Sequence, residues 1–205
     1  MDIYYTCVSS IFYIWKGTHI MEIYKNPSGN FTPEEELYAA YIKDHVAKVR
    51  KSFDERGEML RRVLYLSHDD MAELAKRVAK HDESKWSVEE FPQYRNYFYP
   101  AENEVKNDEG FAAAWKHHYE NNDHHPEYWV KNGVATKINV LALAEMILDW
   151  EAMARALGGN PRVWFRDSRA NLNINAEQDK YLTLILGVLY NEDLNLKEYR
   201  NPILG

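Results

Sequence analysis

The chain has one cysteine, Cys7, in 205 residues. A lone thiol excludes an intramolecular disulfide and any metal centre built from thiolates, and it is the usage expected of a reducing, cytoplasmic compartment. Basic residues are also in short supply, with 25 Lys and Arg against 32 Asp and Glu and a net charge of −7. There is no Lys/Arg run, so a general nucleic-acid surface, which needs a basic excess, is not expected. No apolar stretch reaches the roughly 18–20 residues of a membrane-spanning helix, and no basic segment of signal-peptide type opens the chain, so no membrane association is expected. Nine glycines and seven prolines punctuate the sequence sparsely. The hydrophobic share, 45%, is that of a globular protein. A chain of this length suffices for one domain with a sizeable core.

Residues 1–30 stand apart. Ile3, Tyr5, Cys7, Ser9, Ile11, Tyr13 and Trp15 alternate with other residues, yet both faces are largely apolar. A short strand, a hairpin or an irregular extension is expected there. Met21 offers an alternative start that makes the first twenty residues an upstream extension, which an intact mass tests. A single helical domain is expected over 31–205.

Thr32-Pro33-Glu34-Glu35 reads as a capping box with proline at the first helical position. The helix it opens is predicted to run to about Phe53, with Leu37, Tyr41, His45, Val49 and Phe53 recurring every fourth residue. Gly57 is predicted to break the pattern, with a short helix following over 59–66. Ser67-His68-Asp69-Asp70 caps a further helix, which makes His68 and Asp69 a cap and first-turn pair and not metal ligands. That helix ends at His81-Asp82-Glu83-Ser84-Lys85. Ser87 to Glu90 caps a helix containing Phe91, and FPQYRNYFYP is read as aromatic packing or as one wall of a pocket. Over 110–121, Phe111, Trp115, His118 and Asn122 share one stripe, aromatic at its start and polar at its end. The segment 137–157 is apolar on nearly every face, the mark of a buried helix. Gly158, Gly159 and Pro161 are read as a stop, and 161–174 as a loop whose Arg162, Arg166 and Arg169 either meet phosphate or are ordinary surface. Asn175 to Gln178 caps a last helix, and a polar, loosely held tail follows Asn191. The prediction is all-α, six or seven helices, with any strand confined to 1–30.

Two features ask for chemistry. AWKHHYENNDHHPEYW, from Ala114, holds four of the eight histidines: His117, His118, His124 and His125. Imidazole is the commonest protein metal ligand, although a solvated, His-rich helix end is the plainer alternative. Glu145 and Asp149 lie one turn apart on the otherwise apolar helix. Buried carboxylates are costly unless paired, protonated or metal-bound. Without usable thiolates, a metal site has nitrogen and oxygen ligands, which suit Fe, Mn, Zn, Co or Ni.

Taken in order, His45, His81-Asp82, His118, His125 and Asp149 on a helical chain resemble the HD-domain superfamily of metal-dependent phosphohydrolases. His81-Asp82-Glu83-Ser84-Lys85 is similar to the His-Asp-x-Gly-Lys form of several HD branches, with Ser84 in place of glycine. More narrowly, HDESKWSVEEF, AWKHHYENNDHHPEYW and EMILDWEAM resemble a bacterial and phage family of unknown function, over roughly residues 33 to 190. His124-His125-Pro126 is also similar to a signature of pterin carbinolamine dehydratases, but those are small α+β proteins and this chain is too helical for them. The HD resemblance implies a helical bundle gathering one or two divalent transition-metal ions on His45, His81, Asp82, His118, His125 and Asp149, with His117 and His124 as alternatives to their neighbours. It implies hydrolysis of a nucleotide or other small phosphate ester through a metal-bound hydroxide. Lys85 then neutralises phosphate charge, and Glu145 either holds a ligating histidine or binds a second ion. The same ligand order serves HD-type di-iron oxygenases such as inositol oxygenase, and a non-catalytic metal- or nucleotide-binding protein is a third class.

Overall fold

The computed structural model describes residues 7–8, 11–16 and 19–190, with side chains from Met21 onward. Ile3, Tyr5 and Ser9 of the alternating segment, and the tail after Asn191, lie outside the described residues.

Helix starts are written locally in this chain, because the first backbone N–H groups of a helix need side-chain acceptors. The Thr32 amide donates to Glu35 Oε2 at 2.7 Å and the Glu35 amide to Thr32 Oγ1 at 3.3 Å, opening α1 (Pro33–Leu64). Ser67 and Asp70 close the same reciprocal box on α2 (His68–Ala79). A 3₁₀ turn over Glu83–Trp86 leads to α3 (Phe91–Phe98). Asn107 caps α4 (Asp108–Asn121) and Asn139 caps α5 (Val140–Ala156). Asn160 caps α6 (Pro161–Ser168), and Asn175 with Gln178 caps α7 (Ala176–Leu189). The fold is all-α in character, with seven α-helices among the described residues. Two small antiparallel sheets accompany them: β1 (Cys7–Val8), β2 (Ile11–Lys16) and β3 (His19–Glu22), then β4 (Val130–Lys131) with β5 (Val134–Ala135).

Four expectations are corrected. First, α1 does not break at Gly57. Glycine inside a helix costs about 1 kcal/mol, but Gly57 is buried, and a Cβ there would stand 3.4 Å from the Met71 side chain and 3.5 Å from the Phe53 ring. Close packing on both sides, with Leu60 and Val63 buried beyond, carries the helix through. Second, Leu37 and Tyr41 are exposed, and the buried line is Tyr38, Ile42, His45 and Val49. At 3.6 residues per turn a strict four-residue repeat drifts off a face, whereas the i, i+4, i+7, i+11 spacing holds it. Third, Pro161 begins a helix instead of preventing one: the Asn160 side chain accepts from the Arg162 amide at 2.9 Å, and proline's missing N–H costs nothing at the first position. Fourth, strand is not confined to 1–30. Asn132 (φ 51°) and Gly133 (φ 77°) form the two-residue turn between β4 and β5, and positive φ at both positions is what an Asn-Gly hairpin turn provides.

The residues group into two compact units. The first comprises Met1–Asp44 and Asp82–Asn122. Its interior is aromatic: Phe91, fully buried, has the rings of Tyr24, Tyr38, Phe31 and Trp86 at 4.8, 5.0, 5.3 and 5.6 Å. Of the two readings of FPQYRNYFYP, ring packing accounts for Phe91 and the buried Tyr94. The second unit comprises His45–His81 and Asp123–Gly205. Its core is aliphatic, built on Val49, Leu60, Leu74, Val78, Met146, Ile147, Leu148, Leu182, Ile185 and Leu186. Here α5 packs against α2 and α6, with Trp150 stacked on Phe165.

Candidate metal centre

In the second unit three elements bring ligand-type atoms together. The buried stripe of α1 carries His45, the residue after the α2 C-cap is His81, and α5 carries Asp149. His45 Nε2 lies 3.2 Å from His81 Nε2, Asp149 Oδ1 lies 3.1 Å from His45 Nε2, and the same oxygen lies 3.7 Å from His81 Nε2. Bonds of about 2.0–2.1 Å from a metal to nitrogen and oxygen place two ligand atoms about 3.3–3.4 Å apart at a tetrahedral angle and about 2.8–3.0 Å apart at a right angle. Two of the observed separations, 3.1 and 3.2 Å, fall within that range, and the third, 3.7 Å, lies above it. Asp149 Oδ1 is shielded from solvent and makes no aligned hydrogen bond despite its neighbours.

The tautomer of His81 follows from the other side of its ring. Its Nδ1 lies 2.9 Å from Glu145 Oε1 and donates to it, so Nε2 presents a lone pair to His45 and Asp149. Three electron-rich atoms this close need positive charge among them, either a proton on His45 or a cation. Glu145 is buried one turn before Asp149, and His124 Nδ1 lies 3.4 Å from its Oε1. His81, His124 and Glu145 thus form a second group able to hold an ion. The other oxygen of Glu145 accepts from Arg77 Nε at 2.7 Å, and the Arg77 guanidinium also grips Asp123, with Nη1 3.3 Å from Oδ2. Burial pushes the carboxyls of Asp149 and Glu145 up, but their histidine neighbours, with Arg77 for Glu145, hold both below the ordinary range. Both stay ionised, as ligands and hydrogen-bond acceptors for imidazole must.

The first unit repeats the motif with different residues. Glu90 is fully buried, and its two oxygens accept from His117 Nδ1 at 2.7 Å and His118 Nδ1 at 2.8 Å. His118 therefore turns Nε2 toward Asp82, whose Oδ1 is 3.3 Å away, while Lys85 Nζ sits 2.7 Å from Asp82 Oδ2. Asp82 is held at φ 57°, a left-handed conformation that aspartate tolerates better than most residues. Ser84, where the HD form has glycine, is buried and accepts from Asn122 Nδ2 at 2.6 Å. Burial pushes the Glu90 carboxyl up, but bonds from His117 and His118 pull it below the ordinary range. The Glu90 contact raises His117. For His118, burial pushes down, but Asp82 and Glu90 together push its pKa above the usual imidazole value. In each unit, then, a buried glutamate holds Nδ1 of a histidine whose Nε2 faces an aspartate. Carboxylate partners of this kind fix the orientation and basicity of metal-ligating imidazoles.

His125 belongs to the second unit with its ring 4.3 Å from that of His124. His117 is half-buried on Glu90, beside the buried His118. His68 and Asp69 are exposed in the first turn of α2. Arg162, Arg166 and Arg169 are exposed, with Arg166 paired to Asp167 and Arg169 to Asp179. Sequence reading missed Glu90 as more than a helix-start acid and missed Arg77 altogether, although Arg77 stands four residues before His81, one helical turn away. No helix among the described residues is long and apolar enough to cross a membrane.

A family model described as a family of unknown function (DUF5662) matches residues 34–193. No curated protein and no solved structure matches the chain.

Proposed function

We propose that this chain, which belongs to that family of unknown function, is a metal-dependent phosphohydrolase acting on a nucleotide or other small phosphate ester. The observation that carries the reading is the convergence of His45 Nε2, His81 Nε2 and Asp149 Oδ1 at separations of 3.1 to 3.7 Å, with the His81 lone pair aimed inward by Glu145. Buried His, Asp and Glu groups of this kind could hold a metal ion. The chemistry such an ion would supply is a lowered pKa of bound water, toward neutrality, and polarisation of a phosphoryl oxygen.

The chain's own residues then have separate tasks. His45, His81 and Asp149 would hold the ion, and Glu145 keeps His81 in the tautomer that can bind. Three protein ligands leave open positions, the arrangement of catalytic and not of closed structural sites. Within the first unit, His118 and Asp82 are the proposed ligands, a nitrogen and an oxygen 3.3 Å apart, and Glu90 orients the histidine. Lys85, beside Asp82, supplies positive charge for a phosphate oxygen. His125 is the remaining proposed ligand of the HD order.

Elemental analysis of protein purified without chelator tests the reading, followed by phosphate release from a panel of nucleotides and phosphomonoesters with Mn²⁺, Fe²⁺, Co²⁺, Ni²⁺ or Zn²⁺. At least one equivalent of transition metal and chelator-sensitive phosphate release are expected. Absence of bound metal, or oxygen consumption with iron and no phosphate release, overturns it.

A further inference from the structure

We infer that Arg77 is a positioning residue, a brace that sets the geometry of the His45–His81–Asp149 centre without touching the ion. This rests on the metal-binding reading above. One guanidinium reaches two carboxylates from different parts of the second unit. Arg77 Nε donates to Glu145 Oε2 at 2.7 Å, and Glu145 Oε1 receives His81 Nδ1 at 2.9 Å. The same guanidinium holds Asp123, with Nη1 3.3 Å from Oδ2 and Nη2 bonded to Oδ1. Asp123 immediately precedes His124, and its carbonyl is fixed by the Trp129 indole N–H at 2.6 Å. Arg77 therefore braces α5, through Glu145, and the loop that carries His124, at once.

The charge count points the same way. Asp149, Glu145 and Asp123 carry three negative charges, and Arg77 returns one. The two that remain equal the charge of one divalent cation. Without Arg77, Glu145 keeps an unbonded oxygen and is free to turn toward a cation as a competing ligand, taking the His81 ring with it. The task also calls for arginine. Its rigid fork holds two carboxylates in fixed directions, whereas a lysine ammonium is a point charge on a flexible stem.

Co²⁺ alone is the probe, because its visible absorption reports both affinity and coordination geometry. Wild type, Arg77→Met, Arg77→Lys and Asp123→Asn are titrated in competition with a chromophoric chelator, and unfolding of each metal-free protein is followed by circular dichroism. Arg77→Met is expected to weaken Co²⁺ binding by about 10–100-fold, the range for partners that orient metal ligands, and to alter the Co²⁺ spectrum. Arg77→Lys should recover only part of the affinity. Asp123→Asn, which leaves Glu145 gripped, should move affinity in the same direction by less, and it carries the test if Arg77→Met does not fold. Wild-type Co²⁺ affinity and spectrum in folded Arg77→Met, or in Asp123→Asn if Arg77→Met is unfolded, overturns the inference even if the metal-free protein is less stable. Full recovery in Arg77→Lys also overturns it, since charge alone would then suffice. Failure of the wild type to bind Co²⁺ is a different result, which removes the metal reading itself and this inference with it.

Discussion

Replacing Asp149 by asparagine separates a metal ligand from a core ion pair, because the two roles predict opposite outcomes. Asparagine keeps the shape of the side chain and deletes its charge. In the wild type, Asp149 Oδ1 lies 3.1 and 3.7 Å from two imidazole nitrogens and forms no aligned hydrogen bond. Asparagine still offers a carbonyl oxygen to accept and an amide N–H to donate, so both imidazoles keep a polar partner in the metal-free protein. The metal-free protein should therefore lose less than about 1 kcal/mol, or about 2–4 °C for a chain of this size. Metal binding should suffer instead. At a free metal concentration 100 times Kd, binding stabilises the wild type by about 2.7 kcal/mol, which is roughly 5–11 °C in Tm. A direct ligand should be worth at least the roughly 100-fold upper range of an orienting partner. At the same metal concentration the variant then gains only about 0.4 kcal/mol, a shift of about 1–2 °C. Thermal unfolding with and without Zn²⁺ or Mn²⁺ at pH 8 measures both quantities. If Asp149→Asn instead destabilised the metal-free protein by the roughly 3–5 kcal/mol of a broken buried pair and kept the full metal-induced shift, the ligand assignment would be refuted.

Glu145→Gln should retain the helical circular dichroism spectrum and weaken metal affinity by about 10–100-fold; an unchanged affinity would mean that His81 needs no charged acceptor at Nδ1. Alanine at both His68 and Asp69 should leave metal content at the wild-type level and cost at most about 0.5–2 kcal/mol, the value of a cap; loss of metal in this variant would show that the wrong His-Asp pair had been chosen. The metal-free protein should have a stability maximum set partly by Glu90 and His117. His117, raised above 6.5, contributes fully below that value and loses its contribution as pH rises through its folded pKa, while Glu90, lowered below 4.5, contributes above that value and loses it as pH falls through its folded pKa. Glu90→Gln should flatten both limbs in a Tm-against-pH series, and a series that kept its shape would remove the pairing from the account of stability.

The parts of this protein that were legible in advance are those fixed by neighbours a few residues away. Thr32, Ser67 and Asn175 announce α1, α2 and α7 because a cap and the backbone N–H that donates to it lie within three residues of one another. The apolar run of α5 declares its burial, and with it the cost of Glu145 and Asp149, before any partner is known. The hairpin at 130–135 was equally local, written in Asn132-Gly133 and passed over. Gly57 and Pro161 were read by propensity, and packing against Met71 and the Asn160 cap decided otherwise. The site divides the same way. Histidine and carboxylate spacing marks residues able to bind a metal, but the partners of those residues are far off in sequence: Glu145 lies 64 residues from His81 and 68 from Arg77, and Asp123 lies 46 from Arg77. Which nitrogen of His81 carries the proton, which glutamate holds it and which arginine braces that glutamate are set only when helices bring those residues within hydrogen-bond reach, because hydrogen bonds act over about 3 Å and have no dependence on distance along the chain.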